Sequence, residues 1–296
     1  MNIGEKIKNL RNKKLMTQSE LAGNVITRNM LSSIENGTAL PSLATLRHIS
    51  AKLNVPAGYL LAEGDDEMIY LKLSEIANIK NAYLSKNFRI CRDMCVNTEM
   101  ERDDEINLIF AECSLALGIE SFNEGRLHSA GEYFDEAIEI SSNTIYATQH
   151  ISALAAVYFR YMRRVSATLS SDMIDEGDAD IYAALSDEFA LYTIALEALE
   201  AEDIGLTEFF LPKIEKNAPY ALHIGARCDM KNGNYEEAYQ KLYKILINPY
   251  KIQDPMMYFV FCDLEICCKE IKDFKGAYEY SNDKIAILQR LLTNND

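Results

Sequence analysis

The chain has little of what would mark several protein classes. Six prolines and 13 glycines in 296 residues, beside 48% hydrophobic residues, exclude collagen-like and disordered chains and favour a helical globular one. No apolar run approaches the roughly 18 residues that a membrane-spanning helix requires. The opening stretch Met1-Asn2-Ile3-Gly4-Glu5-Lys6-Ile7 is already amphipathic and has no signal-peptide core, so a cytoplasmic location and no membrane partner are expected. The length suggests about two domains of roughly 100–200 residues each.

The residues that usually carry chemistry are also sparse. Seven cysteines (Cys91, Cys95, Cys113, Cys228, Cys262, Cys267 and Cys268) are too few for a disulfide scaffold, and an odd number leaves one unpaired. Their C-x3-C and C-C spacings differ from the C-x2-C pairs of structural zinc sites. Reduced thiols acting as small apolar residues are the favoured reading; a redox or metal role for Cys91 and Cys95 is the alternative. The four histidines, His48, His128, His150 and His223, form no H-x-x-x-H or H-E-x-x-H pair. There is no GxxxxGK[ST] phosphate loop and no GxSxG elbow. No enzyme, metal or cofactor is expected. The acidic run from Glu99 to Glu105 reads as a solvated helix start rather than a cation site.

Charge is where the chain divides. Residues 1–61 hold eight Lys or Arg against three Glu, a net of +5, within a total of −15, so the remainder carries −20. A small basic head on a large acidic body fits a head that alone touches a polyanion.

Three short segments open the head. Ile3, Ile7 and Leu10 share one helical face. Thr17-Gln18-Ser19-Glu20 is a capping box, and Gly23 suits the end of the helix it starts. Thr27 is a good N-cap for a third helix, Arg28 to Glu35, which turns Leu31 and Ile34 inward. Two short helices joined by a tight turn form a helix-turn-helix, whose second helix presents its N-terminal residues to the major groove. Arg pairs with guanine O6 and N7, and Asn with adenine N6 and N7. Arg28, Asn29, Ser32 and Ser33 are therefore the expected base contacts. Thr17, Gln18, Thr27 and Asn36, at helix ends, suit phosphate oxygens. Pro41-Ser42 and Pro56 begin two further helices.

Thr17-Gln18-x-Glu20-Leu21-Ala22, Ile34-Glu35-Asn36-Gly37, Pro41-Ser42-Leu43-x-Thr45-Leu46 and Leu53-x-Val55-Pro56 together resemble the phage-repressor, or XRE, class of helix-turn-helix domain. The likeness covers residues 1–63. The turn Gly23-Asn24-Val25-Ile26 is one residue shorter than that class commonly shows, which leaves the register of Thr27 to Ser33 open by one position.

A repeating pattern occupies residues 67–296. Its best copy is Leu117-Gly118-x3-Phe122-x2-Gly125-x-Leu127-x2-Ala130-x3-Phe134-x2-Ala137. Taking the large residue after each interhelical turn as marker gives Phe88, Leu127, Ser166, Ile204, Tyr235 and Phe274, spaced 39, 39, 38, 31 and 39. This resembles tetratricopeptide repeats, with Gly and Ala at close helix contacts and a large residue filling the hole between pairs. The expected architecture is all-α: a five-helix DNA-binding head, then a tetratricopeptide-like α-solenoid of about six helix pairs. An unrelated all-α bundle is the alternative.

Such repeats stack into a superhelix with a concave face. Carrying the repeat's groove positions across gives Phe122 and Asn123, Tyr158 and Tyr161, Phe189 and Tyr192, and the cationic side of His223 and Arg227. For each aromatic, ordinary core packing is the competing role. The order of parts resembles the peptide-pheromone-responsive regulators of low-GC Gram-positive bacteria, the Rgg and PlcR type. That likeness implies a homodimeric transcription factor on double-stranded DNA with paired half-sites, controlled by a short apolar peptide. The alternatives are a DNA-tethered adaptor or repressor that docks a protein, and a body serving only dimerisation. Asn282 to Leu292 reads as a capping helix or part of the dimer contact.

Overall fold

A computed structural model describes residues 2–98, 102–166, 169, 182, 184–215, 218–247 and 252–293. Among them all regular structure is helical. The chain forms two compact units, residues 1–86 with 96–102, and residues 87–95 with 103–296.

The first unit holds α1 (Ile3–Lys13), α2 (Gln18–Ala22), α3 (Arg28–Glu35), α4 (Leu43–Leu53), α5 (Ala57–Leu61) and α6 (Asp65–Leu84). Local chemistry fixes where they start. Asn2 with Glu5 and Thr17 with Glu20 form reciprocal capping boxes, each satisfying two backbone donors that a helix start leaves over. Thr27 and Ser42 accept from the Met30 and Thr45 amides, 3.2 Å each. The short turn therefore delivers α3 at Arg28, with Thr27 as its cap.

Ile7, Leu21, Ala22, Leu31, Ile34, Leu46, Ile49, Leu53, Tyr59 and Leu60 form the core of this unit. Two of the eight cations in residues 1–61 turn inward. Lys6 is 1% exposed and donates to the carbonyls of Tyr59 and Ala62 at 3.1 and 2.5 Å, with its ammonium 5.1 Å from the Tyr59 ring centre. Arg11 pairs with buried Glu35. Lys8, Lys13, Lys14, Arg28, Arg47 and Lys52 remain exposed.

The helices that follow are α7 (Phe88–Val96), α8 (Asp104–Asn123), α9 (Leu127–Ser142), α10 (Gln149–Val165), α11 (Glu188–Glu200) and α12 (Ile204–Phe210). A 3-10 turn, Leu211–Lys213, precedes α13 (Pro219–Lys231), α14 (Tyr235–Leu246), α15 (Asp254–Glu270) and α16 (Phe274–Thr293). Asp103 caps α8, its carboxylate 3.1 Å from the Ile106 amide, and Asp104 and Glu105 lie in the first turn, the favourable end of the helix dipole for acids. Residues 99–101 of that acidic run lie outside the described residues.

Five of the six marker residues start a helix: Phe88, Leu127, Ile204, Tyr235 and Phe274. Two positions before each, the backbone turns left-handed, at Lys86 (φ 58°), Gly125 (79°), Glu202 (60°), Gly233 (79°) and Lys272 (66°). The same turn thus recurs with glycine at only two of its five described places. Ser166 caps the end of α10, and the second helix expected after it lies outside the described residues.

Small residues sit where helices touch. A Cβ on Gly118 would come within 2.5 Å of the Phe134 ring, and Ala130 and Ala137 are fully buried on the facing helix. The expectation that every marker fills a hole needs correcting. Leu127 is fully buried, but Ile204 and Phe274 are 70% and 71% exposed, because their helices turn other residues, such as Phe210 and Ala277, inward.

Candidate nucleic-acid interface and the polar core of the repeats

The first turn of α3 leaves Arg28, Asn29 and Met30 exposed, while Leu31 and Ile34 are fully buried. Ser32 and Ser33 are half-buried. The Ser33 hydroxyl donates to the Asn29 carbonyl at 3.1 Å, and the Ser33 carbonyl accepts from the Thr38 amide and hydroxyl at 2.9 and 3.0 Å. This holds the Asn36-Gly37 exit, where Gly37 adopts φ 73°. Arg28 and Asn29 thus reach furthest from the helix, with Met30 beside them as an apolar group.

A buried ion pair ties α3 to the two helices before it. Arg11 donates to both Glu35 oxygens at 2.6 and 3.1 Å, and to the Met16 carbonyl at 2.9 Å. Gln18 donates to Glu35 at 2.8 Å. Burial by itself would raise the Glu35 carboxyl, but the hydrogen bonds from Arg11 and Gln18, with the Arg11 charge, hold it below the usual carboxylate range. Bidentate guanidinium–carboxylate geometry is directional as well as strong, so it sets the angle at which α3 leaves the body of the unit.

The expected phosphate contacts divide by their present duties. The Thr17 hydroxyl caps Glu20 and also donates to its carboxylate at 2.8 Å. Thr27 caps Met30. Gln18 spends an amide donor on Glu35. Asn36 is exposed at the end of α3.

In the second unit, Phe122, Tyr158, Tyr161, Phe189 and Tyr192 are 0–3% exposed. Ring centres lie 4.9 Å apart for Phe122–Tyr158, 4.8 Å for Phe122–Phe189 and for Tyr161–Phe189, and 5.0 Å for Tyr192–Tyr220. These side chains close on one another instead of lining an open channel, because tilted and stacked rings gain most when each removes the other from water. Asn123 stands apart, exposed at the end of α8.

A polar chain runs from this aromatic core. The Tyr192 hydroxyl lies 2.6 Å from His223 Nδ1, and His223 Nε2 lies 2.8 Å from Asp263 Oδ2. An ionised carboxylate only accepts, so Nε2 carries the proton and Nδ1 accepts from Tyr192. Arg227 grips Asp263 through Nε and Nη2 at 2.7 and 3.1 Å. Burial keeps His223 below the ordinary imidazole range. Burial would raise Asp263, but the hydrogen bond from His223 and the Arg227 charge hold it down. The Tyr161 hydroxyl is fully buried beside that of Tyr192. Among the described residues no group of His, Cys, Asp and Glu could hold a metal ion. Among the described residues no disulfide joins any of the seven cysteines, and five of them are buried. No described helix is long and apolar enough to cross a membrane.

Residues 7–60 match the profile of the helix-turn-helix family. The first unit carries a helix-turn-helix domain. Its second and third helices are α2 and α3, and the match spans the core, Glu35 and α3 in one stretch. No curated protein sequence matches the chain. Among solved structures, the competence regulator ComR from Streptococcus vestibularis with its signalling peptide XIP superimposes at a TM-score of 0.30 and 17% identity, over 96% of this chain and 98% of that one. PlcR of Bacillus thuringiensis, in complex with the peptide PapR7 and DNA, gives 0.23 at 17% identity, over 97% and 95%. The pheromone receptor Rgg2 of Streptococcus dysgalactiae gives 0.20 at 12%, over 96% and 99%. Scores at this level establish no common fold.

Sequence reasoning missed two partners. Arg11 lies one turn beyond Ile7 on the inward face of α1, a cation on a core stripe that requires an acid. Asp263 is a lone acid in the apolar run Phe259-Val260-Phe261-Cys262-Asp263-Leu264 of α15. Either break in periodicity points to a buried pair.

Proposed function

We propose that this chain is a sequence-specific DNA-binding transcription regulator, not an enzyme, acting as a cytoplasmic homodimer. Its helix-turn-helix domain, residues 1–63, reads an operator with paired half-sites, and its repeats, residues 67–296, respond to a short apolar peptide. The observation that carries this is the first turn of α3: Arg28 and Asn29 exposed side by side on a helix whose angle is set by a buried ion pair. Arg28, Asn29, Ser32 and Ser33 contact bases in this reading, and Thr17, Gln18, Thr27 and Asn36 contact phosphates. For Thr17 and Gln18 this means sharing the atoms that now cap α2 and hold Glu35. Two copies are needed because symmetric half-sites are read by symmetric dimers, and the exposed stripe Phe274, Tyr278, Ile285 and Leu292 along α16 offers a contact.

Operator selection from a random duplex pool, followed by anisotropy titration, tests it. Arg28→Ala is expected to cost about 1–3 kcal/mol on the selected site and relax one base position; equal loss on every duplex would make Arg28 a phosphate contact. Affinity is expected to fall steeply as salt rises, because phosphate contacts release counterions. A flat salt response would remove duplex DNA as the partner.

In the peptide-responsive reading, Phe122, Asn123, Tyr158, Tyr161, Phe189, Tyr192, His223 and Arg227 form the ligand face. The tight mutual burial of the five aromatic side chains and His223 favours a second reading, in which the repeats serve only dimerisation or dock a protein partner. Peptides co-purifying with the protein, identified by mass spectrometry, would decide for the first; a peptide-free protein with full operator affinity would decide for the second.

A further inference from the structure

Two arginines on different helices share one carboxylate oxygen. Arg164 Nη2, at the end of α10, and Arg227 Nη1, on α13, each donate to Glu200 Oε1 at 2.6 Å. Glu200 is not the sole contact of either guanidinium. Arg227 is clamped side-on by Asp263, while the Arg164 guanidinium lies 5.2 Å from the Phe259 ring centre and 5.9 Å from that of Tyr161. Neither the bidentate contact nor the cation–π contacts are made through Glu200.

Glu200 is the weakly seated member. It is the last residue of α11, where unpaired carbonyls make a negative charge unfavourable. Its side chain is 39% exposed, against 20% and 21% for the arginines. The outer edge of the fork is therefore open to solvent while its two cations are fixed from behind.

We propose that Arg164 and Arg227 form a seat for the carboxylate of an incoming peptide, which Glu200 fills until it is displaced. This rests on the reading of the repeats as peptide-binding and adds to it the group that is recognised and the internal competitor that sets the threshold. The chemistry is a carboxylate on a paired guanidinium fork, supplied by a chain terminus or an acidic side chain.

The test titrates the full-length protein with N-terminally fluorescent pools of random apolar hexapeptides, read by anisotropy. One pool has free carboxyl termini, a second is amidated, and a third is amidated but carries one Glu. Glu200→Gln is expected to tighten binding of the free-carboxyl or the Glu-bearing pool roughly tenfold, the scale of one charge-assisted hydrogen bond. It should leave the plain amidated pool unchanged, and Arg164→Gln added to it should abolish the gain. Whichever acidic pool gains identifies the source of the carboxylate. Unsubstituted protein must already prefer an acidic pool to the amidated one, which keeps the test decisive if Glu200→Gln fails to fold. Equal binding of all three pools overturns the carboxylate seat while leaving peptide binding intact. Binding of none overturns both.

Discussion

Each of the two units buries an arginine–carboxylate pair, in different ways. In the helix-turn-helix domain, Glu35 and Arg11 are 1% and 12% exposed at their side chains, and the third partner, Gln18, is neutral and comes from the adjacent helix. The network is closed, and its product is an angle: α3 cannot tilt without stretching a bidentate bond. Among the repeats, Asp263 is as deeply buried, at 3%, but Arg227 is 21% exposed and passes its remaining arm outward to Glu200. That network is open. One end is sealed by His223 and Tyr192 in the aromatic core, and the other ends at solvent. A closed network holds a shape constant, whereas an open one lets a change at the surface reach the core through a single shared cation.

The largest effect expected from breaking either network is at Asp263. Asp263→Ala leaves His223 Nε2 without its acceptor and Arg227 with Glu200 alone, and removal of one partner from a buried pair costs about 3–5 kcal/mol. The urea midpoint of the second unit should drop accordingly; a change near zero would mean that the network carries no net weight in folding. Glu35→Ala comes next, at about 3 kcal/mol, the low end of that range, since its second partner, Gln18, is neutral and only half-buried, whereas Asp263→Ala also strands fully buried His223. Here operator affinity should fall along with stability, because the angle of α3 is lost. Retained affinity in a destabilised variant would separate the pair from recognition.

The third test sharpens the comparison through acidity. Burial keeps folded His223 neutral, while the imidazole of an unfolded chain takes a proton near pH ~6.5. Below that value the unfolded state binds a proton that the folded state refuses, so stability is complete above it and declines as the medium becomes more acidic. For this one proton the slope has a ceiling of about 1.4 kcal/mol per pH unit, and His223→Gln should flatten it. A helix-turn-helix domain holding Glu35 below the usual carboxylate range should respond only at lower pH, as that carboxylate takes up its proton.

How much of this was legible depends on whether a residue acts locally. Thr17-Gln18-Ser19-Glu20 specifies its own helix start from four neighbours in sequence, and the structure has that capping box. Leu31 and Ile34, set by helical period, are fully buried. The repeat markers worked where glycine supplies the left-handed turn, at Gly125 and Gly233. They were weak at Lys86, Glu202 and Lys272, where the backbone adopts the same φ without the residue that announces it. Long-range pairing was not readable at all. Gln18 looks like a phosphate donor from its place at a helix start, but Glu35, 17 positions later, takes up its amide. Whether an aromatic stripe lines a groove or fills it depends on how far neighbouring helices close, and periodicity is identical in both cases.

Those recurring turns have a practical corollary. Lys86, Glu202 and Lys272 are all exposed, and each holds a side chain in a conformation that penalises any Cβ by roughly 1–2 kcal/mol. Glycine at Lys86 or Lys272 would relieve the backbone against a modest rise in unfolded-state entropy, whereas at Glu202 it would also give up the 3.7 Å ion pair with Lys231. The scaffold therefore contains two points at which its melting temperature can be raised and a third where the gain is smaller.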